Sequence, residues 1–299
     1  MLGLATYNVL NLFDPRDAGE KAVLDAKLEF LAARIAEADA DVVGLQEIGS
    51  EALLERLVSA LDSRVKYTHC VVGTPDSRGI RNALISRLPL LSSRVLTTPS
   101  LEFPRFVTTD PAPYGTQLPL RRGVVHATVD AGPLGPVDVL VVHFKSGRGV
   151  PLRTPSGDLV LPTTSRDFGE ANVRAMIWRA AEALFVRGEV DALFAAGKTN
   201  VAVMGDFNDV WDSVPVRIVR GGGAAVLHAT GSLIDPETRF SVLHNGDKKM
   251  IDFILLSSAL RERVEGIRVL NAELHDHDIS LTDAPRADSD HALVVISLA

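Results

Sequence analysis

The chain has 299 residues, of which 46% are hydrophobic, and a formal net charge of −7. This length is enough for one large domain or two small ones, and the apolar content supports a sizeable core. The single cysteine excludes an internal disulfide, and no stretch has the apolar length of a membrane span. Proteins that bind long duplex DNA usually present a basic face, and the negative net charge disfavours such binding. A bound metal and a local basic rim can outweigh this effect.

Two strands and two helices are predicted in the first part of the chain. The first strand carries Asn8, and the second ends in Glu47. Between them, residues 20–38 are predicted to form a helix, because apolar residues recur there at spacings of 4, 3 and 4. Residues 51–61 form a second predicted helix, with Ser50 as its N-cap.

The middle of the chain is predicted to hold successive strands and two long loops. Strands run through residues 68–145 without a helix, which favours mixed or antiparallel sheets. Cys70, within these strands, is expected to be a small core residue. Loops 97–123 and 147–166 are rich in Pro and Gly, and segments of this length are usually functional or disordered. The second loop follows His143 and carries arginines, so a substrate contact is expected there, with a disordered insertion as the alternative.

The last part of the chain carries the clearest motif. After a predicted helix from residue 167 to about 186, an apolar run ends in Gly205-Asp206-Phe207-Asn208. Glycine allows close backbone approach at the strand end, and the nearby carboxylate and amide could grip one water or phosphate. Two further strand-like runs carry Asp252 within apolar sequence and the pair Asp290-His291.

Taken in order, these motifs resemble the endonuclease/exonuclease/phosphatase family, the DNase I-like phosphoesterases. The resemblance covers nearly the whole chain and rests on Asn8, Gln46-Glu47, residues 83–89, His143, residues 205–208, Ile251-Asp252 and residues 289–291. Since one site would draw on both ends of the chain, a single domain over residues 1–299 is expected. The resemblance implies an α/β (α+β) four-layer sandwich, in which two mixed or antiparallel sheets pack together between flanking helices. His143-Phe144-Lys145-Ser146 looks most like the bacterial nucleases of the family.

The resemblance also implies a divalent-metal-dependent phosphoesterase in which water attacks a phosphodiester. The implied cofactor is Mg²⁺ or Mn²⁺, since a hard cation neutralises phosphoryl oxygens and is held by few carboxylates. The predicted metal ligands are Glu47, Asn8 and Asp290. Glu47 follows a buried strand, where a carboxylate without a cation would be costly.

Five residues are predicted to carry the chemistry. Asp206 is the expected base or water-orienting group, and Asn208 is expected to hold that water or the phosphate. Asp252 is expected to accept a hydrogen bond from His291, which fixes the tautomer of the imidazole and favours its charged form. The roles of Asp206 and His291 in taking the proton remain interchangeable at this point. His143 is expected to donate, as a cationic imidazole, to a phosphoryl oxygen or the leaving group.

Four basic residues are predicted to bind substrate phosphates through charge-assisted hydrogen bonds. They are Lys145, Arg148, Arg81 and Arg122. Taken singly, a surface arginine is more often simply solvated.

A nuclease is the leading hypothesis, with nucleic acid as substrate and no obligate protein partner. His143 and Leu10 disfavour the apurinic-site repair branch of the family, which lacks the histidine and carries an acidic residue in place of the leucine. The alternative is a sphingomyelinase-like enzyme, or another phosphodiesterase acting on lipids or small molecules, although no aromatic hairpin suited to membranes is evident. A catalytically inactive binding module is disfavoured because Glu47, Asp206 and His291 are all present. The first strand begins within four residues of Met1, so a cytoplasmic location is expected.

Overall fold

Two six-stranded β-sheets frame the structure, a computed structural model that describes residues 1–102, 118–276 and 285–299. In chain order the described strands are β1 (Leu2–Leu12), β2 (Val42–Ile48), β3 (His69–Val72), β4 (Arg81–Ser86), β5 (Leu90–Leu96), β6 (Val124–Asp130), β7 (Pro136–His143), β8 (Leu152–Arg153), β9 (Leu159–Val160), β10 (Val201–Asp206), β11 (Leu227–Ala229), β12 (Val242–His244), β13 (Asp247–Lys249), β14 (Asp252–Ser257), β15 (Val264–Leu270) and β16 (Leu293–Leu298). The first sheet has the order β15-β16-β1-β2-β4-β3, and the second has the order β11-β14-β10-β7-β6-β5. Each sheet mixes parallel and antiparallel pairs, as predicted.

Helices cover the outer faces of the two sheets. The described helices are α1 (Ala18–Ala38), α2 (Glu51–Leu61), α3 (Ser165–Ala195), α4 (Val214–Arg220) and α5 (Ser258–Arg261). Side chains along β1 alternate between the two faces of the first sheet, so the core has two parts. Leu4 packs between the sheets, whereas Ala5 and Tyr7 pack on the opposite face, with residues of α1 and α2. Residues of α3 and α4 pack with the second sheet. The four layers confirm the predicted sandwich.

The helix ends follow from their capping residues. The predicted bounds of α2 are confirmed, and the Ser50 hydroxyl accepts a hydrogen bond from the Leu53 amide at 3.2 Å. The third helix begins two residues before its predicted start, because Thr164 and Asp167 form a reciprocal capping box. It continues beyond residue 186 to Ala195, since Val190 and Leu193 extend its buried face.

Two local predictions are wrong. Cys70 is exposed, because β3 is the edge strand of the first sheet and leaves this side chain uncovered. Loop 147–166 is not structureless, since it contains the small antiparallel hairpin of β8 and β9. Loop 97–123 lies partly outside the described residues, so its predicted character stays a prediction.

Strand register brings the predicted polar residues to one edge. The parallel strands β7 and β10 end with His143 opposite Asp206, and the antiparallel strand β14 begins with Asp252 opposite the same aspartate. In the first sheet, parallel pairing of β1 and β2 places Asn8 opposite Gln46. Carboxyl ends of parallel strands meet at one edge, so both sheets present their polar ends on the same side of the core.

Candidate active site

Asp206 lies at the centre of a buried polar cluster. Its Oδ2 accepts hydrogen bonds from the side-chain amides of Asn8 at 3.0 Å and Asn208 at 3.1 Å, and its Oδ1 accepts one from the Asn208 backbone amide at 2.8 Å. The Nε2 atoms of His143 and His291 lie 3.4 Å and 3.9 Å from Oδ2. One carboxylate therefore joins strands from both sheets.

Close backbone packing at Gly205 makes this position of Asp206 possible. Gly205 has a φ of +150°, and a Cβ atom there would lie 1.9 Å from the carbonyl oxygen of Val142 on the neighbouring strand. Only glycine permits this approach, as the motif predicts.

Asp252 and His291 form the predicted pair. His291 Nδ1 lies 2.8 Å from Asp252 Oδ2, and the carboxylate is fully buried. Burial alone would lower the pKa of His291, but the charge and hydrogen bond of Asp252, with help from Asp206 and Asp290, raise that pKa well above its usual value. The imidazole is therefore cationic at neutral pH, with Nε2 directed towards Asp206.

Serine hydroxyls hold this pair in place, a feature that sequence patterns did not reveal. The Ser289 hydroxyl donates to the Asn8 carbonyl at 2.7 Å and accepts from the His291 amide at 3.0 Å. The Ser241 hydroxyl accepts from the Asp252 amide at 3.1 Å. Serine is too common in loops for these long-range contacts to be predicted.

Glu47 and Asp290 bring two further carboxylates to the cluster. Glu47 Oε2 accepts from the Asn11 amide at 2.7 Å, and Oε1 lies 3.9 Å from His143 Nε2. Asp290 lies 3.9 Å from His291 Nε2 and 3.4 Å from His244 Nε2. Both Glu47 and Asn11 have left-handed backbones, with φ values of 68° and 46°, a strain that is tolerated mainly where function requires it.

The charge predicted for His143 is wrong, although its position beside Asp206 agrees with the prediction. Burial lowers the pKa of His143 well below its usual value, and the nearby charges of Arg122 and His291 lower it further. His143 is therefore neutral in this structure. A neutral imidazole can still donate through one ring nitrogen.

The cluster suits a divalent cation. Burial, followed by the charge of Asp252, raises the pKa of Asp206 to about 7. Four carboxylates face one cationic imidazole here, so a divalent cation would offset unbalanced negative charge. One ligand atom from each of Asp206, Asp252 and His291 lies within 4.8 Å of the others. Since Asp252 already binds His291, the carboxylates of Glu47 and Asp290 offer the oxygen ligands that Mg²⁺ prefers.

The predicted substrate-binding residues have different surroundings. Arg122 is buried; it donates to the carbonyls of His143 and Phe144 at 3.1 Å and 3.2 Å and lies 3.2 Å from Asp76. Lys145 is also buried, and its Nζ donates to the carbonyl of Arg148 at 2.6 Å. These contacts do not support direct substrate binding by Arg122 or Lys145, since both head groups are engaged inside the protein.

Arg81 and Arg148 remain nearer to solvent. Arg81 is half-buried and donates to the Gly49 carbonyl at 3.0 Å, close to the end of the second strand. The side chain of Arg148 is exposed in the loop that follows His143. Asn208 also differs from the prediction, because its amide group donates to Asp206 and to the Phe144 carbonyl, at 3.0 Å, rather than facing substrate.

Polar side chains of helix α3 bind the backbone of the loop that follows His143. Arg179 donates to Asp209 at 2.9 Å and to the Lys145 carbonyl at 3.0 Å. Glu182 is buried and accepts from the Lys145 amide at 2.6 Å. These residues were not predicted to serve the site, because a helical pattern does not show which loop its polar side chains will reach.

A cleft of about 620 Å³ adjoins the cluster beside Asn11. Its lining combines the ring of Phe13 with basic and acidic side chains, namely Arg16, Lys27, Arg78, Arg286, Asp14 and Glu20. Phe13 is 40% exposed, so the cleft offers an apolar surface and several cations, and Asn11 in its lining contacts Glu47 through its backbone amide.

Two packed mixed sheets with a carboxylate–histidine cluster at their shared edge define a phosphoester hydrolase of DNase I-like fold. The sequence matches the endonuclease/exonuclease/phosphatase family over residues 5–291, and the chain belongs to that family. It is therefore a phosphoric ester hydrolase. No curated protein matched the chain.

Solved structures share the fold at low sequence identity. Truncated Caenorhabditis elegans TDP2 is 14% identical with a TM-score of 0.61, and the match covers 100% of this chain and 97% of that one. A Bacteroides thetaiotaomicron mannosyl-6-phosphatase is 17% identical with a TM-score of 0.62, covering 100% of both chains. The Neisseria 3′ phosphatase NExo, bound to a product DNA hairpin, is 19% identical with a TM-score of 0.56, covering 100% of both.

Membrane-spanning structure is not seen in the described parts of the chain. Within residues 1–102, 118–276 and 285–299, no helix is both long and apolar enough to cross a bilayer.

Proposed function

We propose that the protein is a nuclease that hydrolyses phosphodiester bonds in nucleic acid with the help of Mg²⁺ or Mn²⁺. The observation that carries this proposal is the cluster of two buried and two half-buried carboxylates around one charged imidazole. A nearby cleft holds an aromatic ring and several cations, and the backbone amide of Asn11, in the lining of that cleft, donates to Glu47. Such a cluster can hold a metal and water against a phosphate, and the cleft can accept a base and its neighbouring phosphates.

Glu47, with Asn8 and Asp290, would hold the cation. When bound, the cation neutralises charge on the phosphoryl oxygens. The alternative ligand group is Asp206, Asp252 and His291, whose ligand atoms lie within 4.8 Å of one another. The contact with Asp252 raises the pKa of His291 well above its usual value, and this favours the first assignment, because an imidazole protonated on both nitrogens cannot ligate.

Side chains of the protein would accept and donate the protons of the reaction. Asp206 accepts a proton from the attacking water, and the amides of Asn8 and Asn208 hold its carboxylate in place. Charged His291 donates from Nε2 to the phosphoryl group, while Asp252 keeps the imidazole charged and oriented. His143, held between Glu47 and Asp206, orients groups at the phosphate as a neutral imidazole.

A substrate panel tests this function. Purified protein would be incubated with Mg²⁺ or Mn²⁺ and single-stranded DNA, plasmid, RNA, sphingomyelin or phosphomonoesters, with Asp206→Ala as the inactive control. Cleavage of a nucleic acid that is lost in the control is expected. Turnover confined to sphingomyelin or to phosphomonoesters would instead favour the lipid or small-molecule alternative.

The metal assignment has its own test. Glu47→Gln removes the charge of the side chain without changing its volume. Activity should fall by about 100-fold or more, because losing even an outer contact of a metal site typically costs about 10- to 100-fold. The rise in Tm on adding Mn²⁺ should disappear in the same variant. Glu55→Gln, the same change at an exposed position on α2, is the matched control. Full turnover in Glu47→Gln, or in excess chelator, would exclude the assignment.

A further inference from the structure

A second cavity, of about 520 Å³, lies outside the catalytic cluster. The basic residues in its lining are Arg220, His228, Arg239, Lys248, Lys249 and Arg261. Trp211, Met250 and Phe253 supply apolar surface, and no Asp or Glu is among the described lining residues. We call this cavity the tryptophan pocket.

The cations of the tryptophan pocket are short of counter-charges. Lys249 lies 3.8 Å from the exposed carboxylate of Asp247. Among the described residues, no carboxylate lies within ion-pair distance of the other four Arg and Lys side chains, and Arg220 Nε is buried without a hydrogen-bond partner. In a chain of net charge −7, this concentration of unpaired cations creates a local positive potential that favours an anionic ligand.

The aromatic residues indicate which anion the pocket suits. Trp211 is 53% exposed, and the Arg220 guanidinium lies 4.9 Å from its ring centroid. Lys248 Nζ lies 4.7 Å from the ring centroid of Phe240, a buried residue outside the lining, so Trp211 supplies the exposed ring. Exposed aromatic rings with adjacent cations are the usual way in which proteins stack single-stranded bases and hold their phosphates.

Chain connectivity places the pocket next to the catalytic cluster. Trp211 follows Asp206 by five residues, and Met250 precedes Asp252 by two. The hairpin of β12 and β13 carries Lys248 and Lys249 on one strand, while His244 on the other strand lies 3.4 Å from Asp290. One strand of nucleic acid could therefore engage both places.

We propose that the tryptophan pocket binds a single-stranded segment of nucleic acid that flanks the scissile phosphate. A base stacks on Trp211, and neighbouring phosphates contact Lys248 and Lys249. The inference rests on the proposed nuclease function for the identity of the substrate, but binding at the pocket can be measured without turnover. An anionic membrane surface is the competing occupant; the concave shape of the pocket favours a strand that enters it.

Binding of a fluorescein-labelled single-stranded oligonucleotide, followed by anisotropy in excess chelator, tests the proposal. Lys248→Ala/Lys249→Ala should weaken binding and reduce the slope of log affinity against log salt by about 1.4, that is about 0.7 for each phosphate contact. Trp211→Ala should weaken binding roughly ten-fold with little change in that slope, and Trp211→Phe should restore most of the affinity. The control is Lys66→Ala/Lys198→Ala, which removes two exposed lysines outside the pocket.

Hydrolysis of bis(p-nitrophenyl) phosphate separates this proposal from the proposed function. This small diester does not reach a flanking pocket, so the variants should hydrolyse it as the wild type does, while KM for the oligonucleotide rises. Equal oligonucleotide affinity in the wild type and all variants would contradict binding at the tryptophan pocket and leave the nuclease proposal intact. Selective loss of affinity in a protein that hydrolyses neither substrate would support the pocket and overturn the nuclease. Binding of anionic vesicles, but not of the oligonucleotide, through the same residues would replace the strand by a membrane surface.

Discussion

Asp252 and His291 show how one buried contact can set the charge of an imidazole in the proposed active site. The 2.8 Å contact keeps the imidazole cationic, against a burial effect that acts in the opposite direction. In Asp252→Asn, the pKa of His291 should fall, because the carboxylate charge that raises it is gone. As pH rises, the activity that needs the charged imidazole should then be lost at a lower pH than in the wild type. We also expect kcat to fall by roughly 10²–10⁴.

The profile of kcat/KM against pH, measured for the wild type and Asp252→Asn, checks this prediction. Asp247→Asn, an exposed aspartate on the β12–β13 hairpin, serves as control. A profile that keeps its shape, together with a lowered Tm, would mark Asp252 as structural only.

The raised pKa of Asp206 predicts how the stability of the metal-free protein depends on pH. Burial raises its folded-state pKa from 3.8 to about 7, so the unfolded chain loses this proton more readily than the folded one does. Stability from the protonated group is therefore present at acidic pH and is lost as pH rises from about 4 to 7. His291 acts in the same direction, since its raised pKa means that its contribution is lost as pH rises through the folded-state value.

Asp206→Asn should flatten this dependence and raise the Tm of the metal-free protein above that of the wild type at pH 8. Thermal melts in chelator from pH 4 to 9 measure the effect, with the exposed Asp212→Asn as a neighbouring control. Saturating Mn²⁺ should reduce the gap, because the cation stabilises the ionised carboxylate only in the wild type. A lower Tm for Asp206→Asn than for the wild type throughout this range would contradict the account.

At the scale of elements, strand β10 depends on close contact with β7. A Cβ atom at Gly205 would lie 1.9 Å from the Val142 carbonyl and would occupy a backbone that L residues rarely adopt. Gly205→Ala should therefore lower the free energy of unfolding by about 3 kcal/mol or more. Gly266→Ala, on β15, is the matched control, because nothing lies within 4 Å of its added methyl group, and its effect should stay within about 0.5 kcal/mol. Denaturant unfolding that showed equal stability for the two variants would refute the role of Gly205.

The loop over residues 147–166, which includes the hairpin of β8 and β9, carries the basic residues expected to reach substrate. Arg148 and Arg153 are exposed there, although Arg153 also donates to the Gly157 carbonyl at 2.7 Å. Arg148→Ala/Arg153→Ala should raise KM for an oligonucleotide and flatten its salt dependence, with little change in kcat. Steady-state kinetics over a range of salt concentrations give both readouts. An unaltered KM at low salt would leave the loop without a role in binding.

Elements with strong periodicity were predictable from the sequence, and contacts between distant elements were not. The bounds of α2 and the catalytic strand ends followed from local patterns, because strand pairing gathers polar ends at one edge. The burial of Arg122 and the neutral state of His143 were missed, since both depend on the charges and packing that surround them in the folded chain. The short hairpin of β8 and β9 was missed because two-residue strands carry almost no periodic signal.

At the scale of the whole molecule, the two sheets bring residues from both ends of the chain into one cluster. Asn8 lies on β1, Asp206 ends β10, and His291 lies just before β16, yet all three meet within hydrogen-bonding or ion-pair distance. A resemblance over the whole chain pointed to this arrangement, because each motif alone is weak. The core therefore acts as the frame that holds these three side chains together.

Hydrolysis of a single-stranded oligonucleotide in water enriched in ¹⁸O, with Mn²⁺ and with chelator, tests metal-assisted attack of water on the phosphodiester most directly. If water attacks phosphorus at this cluster, one ¹⁸O should appear in the phosphate-bearing product and none in the released hydroxyl. The reaction should stop in chelator and in Asp206→Ala. An ¹⁸O label in the hydroxyl product, or hydrolysis that continues in chelator, would contradict metal-assisted attack of water on the phosphodiester.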